Sequence, residues 1–463
     1  MASDPYGLFS GQSPLRPGES ILIRSATILT ISDTAKDLER GDLLIEGGRI
    51  SEMGVDLSAP DAFVIDGTGK IAIPGFHDTH RHSWEGQLRR IIPSGDISDY
   101  TCTTHGEFAQ HYAPEDVYAG TLLTALHAMA SGITTILDYS HNSQTSAHCH
   151  AAIDALEHSG IRAVYACSAP SILGNAKTDC AWPDVIEDLA RDRFHNESGL
   201  MSIRVAGTPS TLFADFFALA DRLGIGVSID AIGGDKSSEW ILEAEGKGWL
   251  GPNRTLIHCT GISDAAWGAI ARTGATVSLC PQADMQYVIG EPPLRQALAH
   301  GIRPSISVDD DMGLASDMWT QLRILSASYR HSFGIFFKNA HPNSEDARRL
   351  TAFDLLDFAT RCGALANGLG GRTGRLDVGL EADVVLIDAE DLNNMPLNNA
   401  YGSVIHGADT ANVSTVIIGG ALRKHEGKLV GVDLEALRSL VRRSRDRLVA
   451  LVDREFGILD RDA

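Results

Sequence analysis

At 463 residues the chain is too long for one small core and predicts a large unit with a smaller satellite. Its formal charge of −21 argues against DNA or RNA as a partner, because nucleic-acid binders neutralise phosphates with Lys and Arg. No apolar run is long enough to cross a bilayer, and the first twenty residues carry neither a basic start nor an apolar export segment, so the cytoplasm is the expected compartment.

Residues 21 to 73 read as short strands broken by turns: ILIRSATILTI, GDLLIEGGRISEMG and FVIDGTGKIAI. Beyond them, β-type apolar runs at 133 to 138, 162 to 167, 226 to 230, 255 to 259, 275 to 280 and 304 to 309 alternate with helical stretches, the rhythm of parallel βα units. ADVVLID and STVIIGGALRKHEGKLV then repeat the strand-and-turn pattern of the start, so the two ends are expected to pair in one sheet. The expected fold is α/β: a (β/α)₈ TIM barrel with a small β-sandwich domain built from both chain ends. Its predicted boundaries are 1–73 and 376–432 for the sandwich, 74–375 for the barrel and 433–463 for a terminal helix. On that helix Arg438, Arg442, Arg443, Arg445 and Arg447 read as a solvated face opposite Leu437, Leu440, Val441, Leu448, Leu451 and Val452. A doubly wound open sheet is the rival, disfavoured because no Gly-rich phosphate loop follows an early strand. The seven cysteines (Cys102, Cys149, Cys167, Cys180, Cys259, Cys280, Cys362) show no CxxC spacing and read as mostly buried thiols.

Pro74-Gly75-Phe76-His77-Asp78-Thr79-His80-Arg81-His82 directly follows the first strand set and should end the first barrel strand. Side chains two apart on a strand point the same way, so His80 and His82 offer two imidazoles to one ion, whereas His77 and Arg81 point elsewhere. A lone HxH is a weak signal, and its neighbours must carry the argument.

The motif resembles the P-G-[FL]-x-D-x-H-x-H signature of the amidohydrolase superfamily. Gly132-Ile133-Thr134-Thr135-Ile136-Leu137-Asp138 is similar to the second strand, G-[VI]-T-T-x-x-D, of its cytosine deaminase and triazine chlorohydrolase branch. Leu256-Ile257-His258-Cys259 resembles the sixth-strand histidine, and Gly374, Gly379, Ala382 and Asp383 match a G-x-[IL]-x-x-G-x-x-A-D turn. The resemblance implies one divalent metal ion, zinc with iron or manganese as alternatives, held by His80, His82 and Asp309. It also makes Asp309 the acceptor of a proton from the attacking water.

Departures matter as much. The family's fifth-strand H-x-x-E corresponds to Asp230-Ala231-Ile232-Gly233, so Asp230 becomes a candidate ligand, unless a slip of one pleat puts Ser228 there. Leu279 replaces the seventh-strand histidine, and His258 either coordinates the metal or acts as general acid and base. No lysine stands in a fourth-strand position to bridge a second ion. His141, after the second strand, is a catalytic candidate or a surface histidine. Gln282, Asp284 and Tyr287 follow the seventh strand as candidate substrate contacts. Arg81, Arg89 and Arg90 are candidates to grip a carboxylate, and Trp84 either stacks on an aromatic ring or packs in the core.

The function implied is hydrolysis at an sp² carbon of a small cyclic or aromatic substrate, expelling ammonia, an amine or halide. A second reading keeps fold and metal but closes an aromatic heterocycle such as a benzoxazole with loss of water. A metal-free structural homologue is a third, disfavoured by the retained His80, His82, His258 and Asp309. Relatives of this kind often self-associate, which makes a homo-oligomer an expectation by analogy.

Overall fold

The computed structural model describes residues 4–9, 14–16, 18–171, 182–194, 199–340 and 350–452, and Cys180 and the last residues of the terminal segment lie outside them. The first strand set forms β1 (Ile21–Ile28), β2 (Leu38–Glu46), β3 (Arg49–Gly54), β4 (Phe63–Asp66) and β5 (Lys70–Pro74). The middle supplies β6 (Phe76–Arg81), β7 (Ile133–Ser140), β8 (Arg162–Ser168), β9 (Met201–Gly207), β10 (Gly226–Asp230), β11 (Arg254–Ile257), β12 (Thr276–Leu279) and β13 (Ser305–Ile306). The end adds β14 (Val384–Asp388), β15 (Val413–Ile418), β16 (Ala421–His425) and β17 (Lys428–Leu429).

The two ends do share one sheet, ordered β17-β16-β15-β14-β5-β1-β2-β3 with β4 alongside β1. The join is the antiparallel pair β5–β14, with Ile73 opposite Val385. Alternate side chains such as Ile21, Ile23, Leu43, Ile45, Val384 and Leu386 bury one face in a core of their own.

β6 to β13 pair in strict sequence order, all parallel, as a barrel. Buried on both faces, most read as continuous apolar runs, which is why they are visible in the sequence. β9 escaped that reading because Arg204 interrupts the run MSIRVAG. β13 is only two residues long, since the chain turns into the left-handed region at Asp309, φ 82°. The barrel closes there through a single parallel bridge between Arg81 and Asp309. The His82 N–H donates to Asp309 O at 2.7 Å and the Asp309 N–H to His80 O at 3.0 Å. Closure and the His80-Arg81-His82 motif thus occupy the same residues.

At the opposite, N-terminal mouth the short helix Gly363–Ala366 plugs the barrel. Gly363 is required, because a Cβ there would meet His77 Cβ at 2.6 Å. Arg162 at the start of β8 ties barrel to sheet, donating to Asp383 at 2.7 and 2.8 Å and pairing with Glu381 at 2.8 Å. The helix Leu434–Val452 buries Leu437, Leu440 and Leu448, and its exposed arginines face outward as expected, except that Arg447 reaches Asp116. Cys102 is exposed, and the other five described cysteines are buried. Among the described residues no helix is long and apolar enough to cross a membrane.

Candidate metal centre

The C-terminal ends of five barrel strands bring donors together. β6 carries His80 with His82 just past its end, Asp230 ends β10, His258 and Cys280 directly follow β11 and β12, and Asp309 lies three residues beyond β13. His258 and Asp309 both sit at positive φ, 63° and 82°, a strained conformation that aims their side chains inward from the strand ends.

Asp309 Oδ1 lies 3.2 Å from His80 Nε2 and 3.3 Å from His82 Nε2, and Oδ2 lies 3.7 Å from His258 Nε2. His258 Nε2 is also 3.8 Å from Asp230 Oδ1. Bonds of about 2.0–2.1 Å to a tetrahedral zinc separate its donors by about 3.3 Å, so this spacing suits one ion. Orphaned atoms at the centre agree: neither ring nitrogen of His80 makes an aligned hydrogen bond, and Asp230 Oδ1 is buried without one. Four of the donors, His80, His258, Cys280 and Asp309, fall within 4.8 Å of one another.

The outer nitrogens are held. His258 Nδ1 meets Asp284 Oδ1 at 2.8 Å, and His82 Nδ1 meets the Tyr139 carbonyl at 3.1 Å, which leaves both Nε2 atoms for the centre. Burial pushes the Asp309 carboxyl up, but His80 and His82 outweigh it and hold it well below the ordinary carboxylate range. The Cys280 thiol is pushed up to about 12 by burial and lies 3.1 Å from Ser307 Oγ.

The amidohydrolase family model matches residues 71–423, over three quarters of the sequence and every donor above. The chain belongs to the amidohydrolase family. It is accordingly a hydrolase, with a donor set suited to a metal ion. Over 451 residues it is 28% identical to a 5-methylthioadenosine/S-adenosylhomocysteine deaminase of Desulforamulus reducens, covering 92% of this chain and 99% of that protein. It is 24% identical over 451 residues to a 5'-deoxyadenosine deaminase of Methanosarcina mazei, with coverage of 94% and 99%. In fold it is similar to an adenosine deaminase from Xanthomonas campestris solved with bound zinc, TM-score 0.80 at 20% identity, covering 93% and 98%. It is also similar to an atrazine chlorohydrolase from Arthrobacter aurescens complexed with zinc, TM-score 0.76 at 22%, covering 92% and 100%.

This amidohydrolase centre opens into a cavity of about 280 Å³ walled by His82, Tyr100, His105, His141, Asp230 and Tyr287, among others. His141 stacks on His82 with centroids 3.9 Å apart and planes at 13°. Its Nδ1 accepts from Trp84 Nε1 at 3.0 Å, so a neutral ring keeps its proton on Nε2. Burial, with His82 beside it, holds His141 well below the usual imidazole range.

Several sequence candidates lie elsewhere. Trp84 is buried behind His141 and positions it, with no place in the cavity wall. Arg81 is fully buried, 3.3 Å from Asp78 and 2.7 Å from Asp311, because the strand pleat turns it away from its neighbours His80 and His82. Arg89 donates to the same Asp311 at 2.9 Å, and Arg90 reaches Ser316. The arginines therefore brace the acidic turn from behind. Gln282 cross-links the Gln321 and Ala315 segments and also misses the wall. Tyr287 does line it, its hydroxyl donating to Asp310 at 2.7 Å. Asp284 supports His258 from beneath. Ser228 is buried one pleat below Asp230, with its hydroxyl unpaired.

Sequence reasoning missed Tyr100, which donates to the buried Glu85 at 2.8 Å, and His105. Both belong to the segment between β6 and the helix Pro114–Ala130, where no periodicity marks a wall residue. Cys280 had a signal, the Cys-Pro after the seventh strand, that was read only for its neighbour Leu279.

Proposed function

We propose that this chain is a zinc-dependent aminohydrolase that replaces the exocyclic amine of a neutral or cationic nitrogen heterocycle by oxygen, releasing ammonia. The observation that carries the reading is the convergence of three Nε2 atoms and the Asp309 carboxylate at the head of a cavity whose described wall holds no Arg or Lys. Among the described wall residues Asp230 and Asp310 add negative charge and no Arg or Lys stands ready to pair with a substrate carboxylate or phosphate. The similarity to deaminases of adenosine-type nucleosides, spanning nearly the whole length of each, supports an amino-purine as the first ring to test.

His80, His82, His258 and Asp309 would hold a single ion, and Asp230 either completes the set or accepts a hydrogen bond from the departing amine. Such an ion supplies Lewis acidity, which brings the pKa of a water toward about 7. Asp309 takes the proton of the attacking water as it adds to the sp² carbon, and the proton then passes to the amine, which leaves as ammonia. His141, fixed by Trp84 with its Nε2–H unpartnered, is the donor available to hold the ring, and the Tyr100 and Tyr287 hydroxyls, whose protons go to Glu85 and Asp310, offer it acceptor oxygens. His141 would stand in for the glutamate whose place Gly233 takes.

The test is zinc-loaded protein against amino-purine nucleosides, free aminopurines, aminotriazines and aminobenzoates, with ammonia and product mass followed together. Ammonia from at least one uncharged amino-heterocycle, abolished by chelation and restored by zinc, is expected. A fully zinc-loaded protein that releases ammonia from none of them would overturn the reading. A product lighter than its precursor by one water would do so as well, replacing it with ring closure.

A further inference from the structure

The second large cavity lies at the other end of the barrel, about 440 Å³, where β9, β10 and β11 begin and the plugging helix Gly363–Ala366 ends. Its wall carries Arg204, Asn253, Asn367 and Arg372 and, among the described residues, no Asp or Glu. Arg204 points into the barrel from the first half of β9 and is only 4% exposed. Its Nη2 donates to the carbonyls of Asn253 and Val227 at 3.0 and 3.3 Å and to Thr255 Oγ1 at 3.2 Å, and its Nη1 donates to Ala366 O. None of these acceptors carries a charge. The two neighbouring arginines are different: Arg254 is paired with Asp221, and Arg372 with Glu381.

A buried guanidinium without a carboxylate is a costly arrangement, because backbone dipoles replace only part of its lost hydration. Burial, with Arg254 nearby, accordingly brings Arg204 down to about 9. Its Nε–H has no acceptor. Asn367, also 4% exposed and on the same wall, has both side-chain atoms unpartnered. Water alone satisfies the amide but leaves the positive charge uncompensated.

We propose that this N-terminal mouth is a binding site for a compact oxyanion, a phosphate or a carboxylate group, drawn by the guanidinium of Arg204 and the amide of Asn367, two residues that line it. Gly226 makes room for the guanidinium itself: a Cβ at that position would lie 2.4 Å from Arg204 Nε, so any side chain there would displace it. The ligand charge required is opposite to the one favoured at the metal centre, and the two sites occupy opposite ends of the strands. Occupancy here is therefore separable from turnover there.

Thermal unfolding and ³¹P line broadening of the zinc-loaded protein would be followed as inorganic phosphate, and separately acetate, replaces chloride at constant ionic strength. A saturable rise in Tm is expected with at least one of the two, with phosphate also broadening its own resonance if it is the better ligand. Asn367→Leu, which removes an unpaired buried amide and keeps its size, should fold and weaken that binding at least 10-fold. Arg204→Met should abolish it. The proposal is overturned if neither oxyanion exceeds chloride, or if Asn367→Leu binds with wild-type affinity. In the second case the response comes from an anion at the metal or on the surface.

Discussion

Three adjacent carboxylates, Asp309, Asp310 and Asp311, serve three different partners: the His80–His82 pair, the Tyr287 hydroxyl, and the Arg81–Arg89 pair. Because Asp309 is the only one that reaches His80 and His82, Asp309→Asn should cut turnover by about 10²–10⁴-fold, the range for loss of a positioned acid–base group. Steady-state ammonia release alongside circular dichroism would check this, with an intact fold expected. The three roles were not separable in the sequence, since the left-handed turn at Asp309 decides which carboxylate faces inward. His80 and His82 were legible because the period of a strand is two. The same arithmetic already placed Arg81 on the other side, so its candidacy rested on proximity along the chain rather than direction.

Helix Pro281–Gln286 exists, in functional terms, to carry Asp284 beneath His258. Proline at its first position starts it immediately after β12, and the next turn lifts Asp284 to within 2.8 Å of Nδ1. Outer partners of this type commonly tune metal affinity about 10–100-fold. Asp284→Asn should therefore weaken zinc by that factor in chelator competition, with much of the turnover regained at saturating zinc. The strands themselves were largely readable as apolar runs bounded by turns. β9 was not, because its charged residue serves the opposite mouth of the barrel. Nor was the segment bearing Tyr100 and His105, whose place in the wall is set by tertiary packing alone.

Across the whole molecule, strand sets more than 300 residues apart complete one sheet, and that pairing was readable because neither set has another partner of its kind. What fastens this sheet to the barrel was not readable: the buried Arg162 fork on Asp383 and Glu381. Arg162→Met leaves the buried Asp383 without its cation, while Glu381 keeps Arg372, and should cost about 3–5 kcal/mol. A fall in the urea midpoint with an unchanged slope would register it.

The narrow seam between β6 and β13 also shapes the energetics of folding. Joining segments 230 positions apart closes a loop whose entropic cost is about 5 kcal/mol by the logarithmic polymer law, and few backbone bonds are available there to offset it. The imidazoles and the carboxylate straddle that seam, so an ion held by them would act as a clasp on the ring of strands, and metal loading and sealing of the architecture would be one coupled equilibrium.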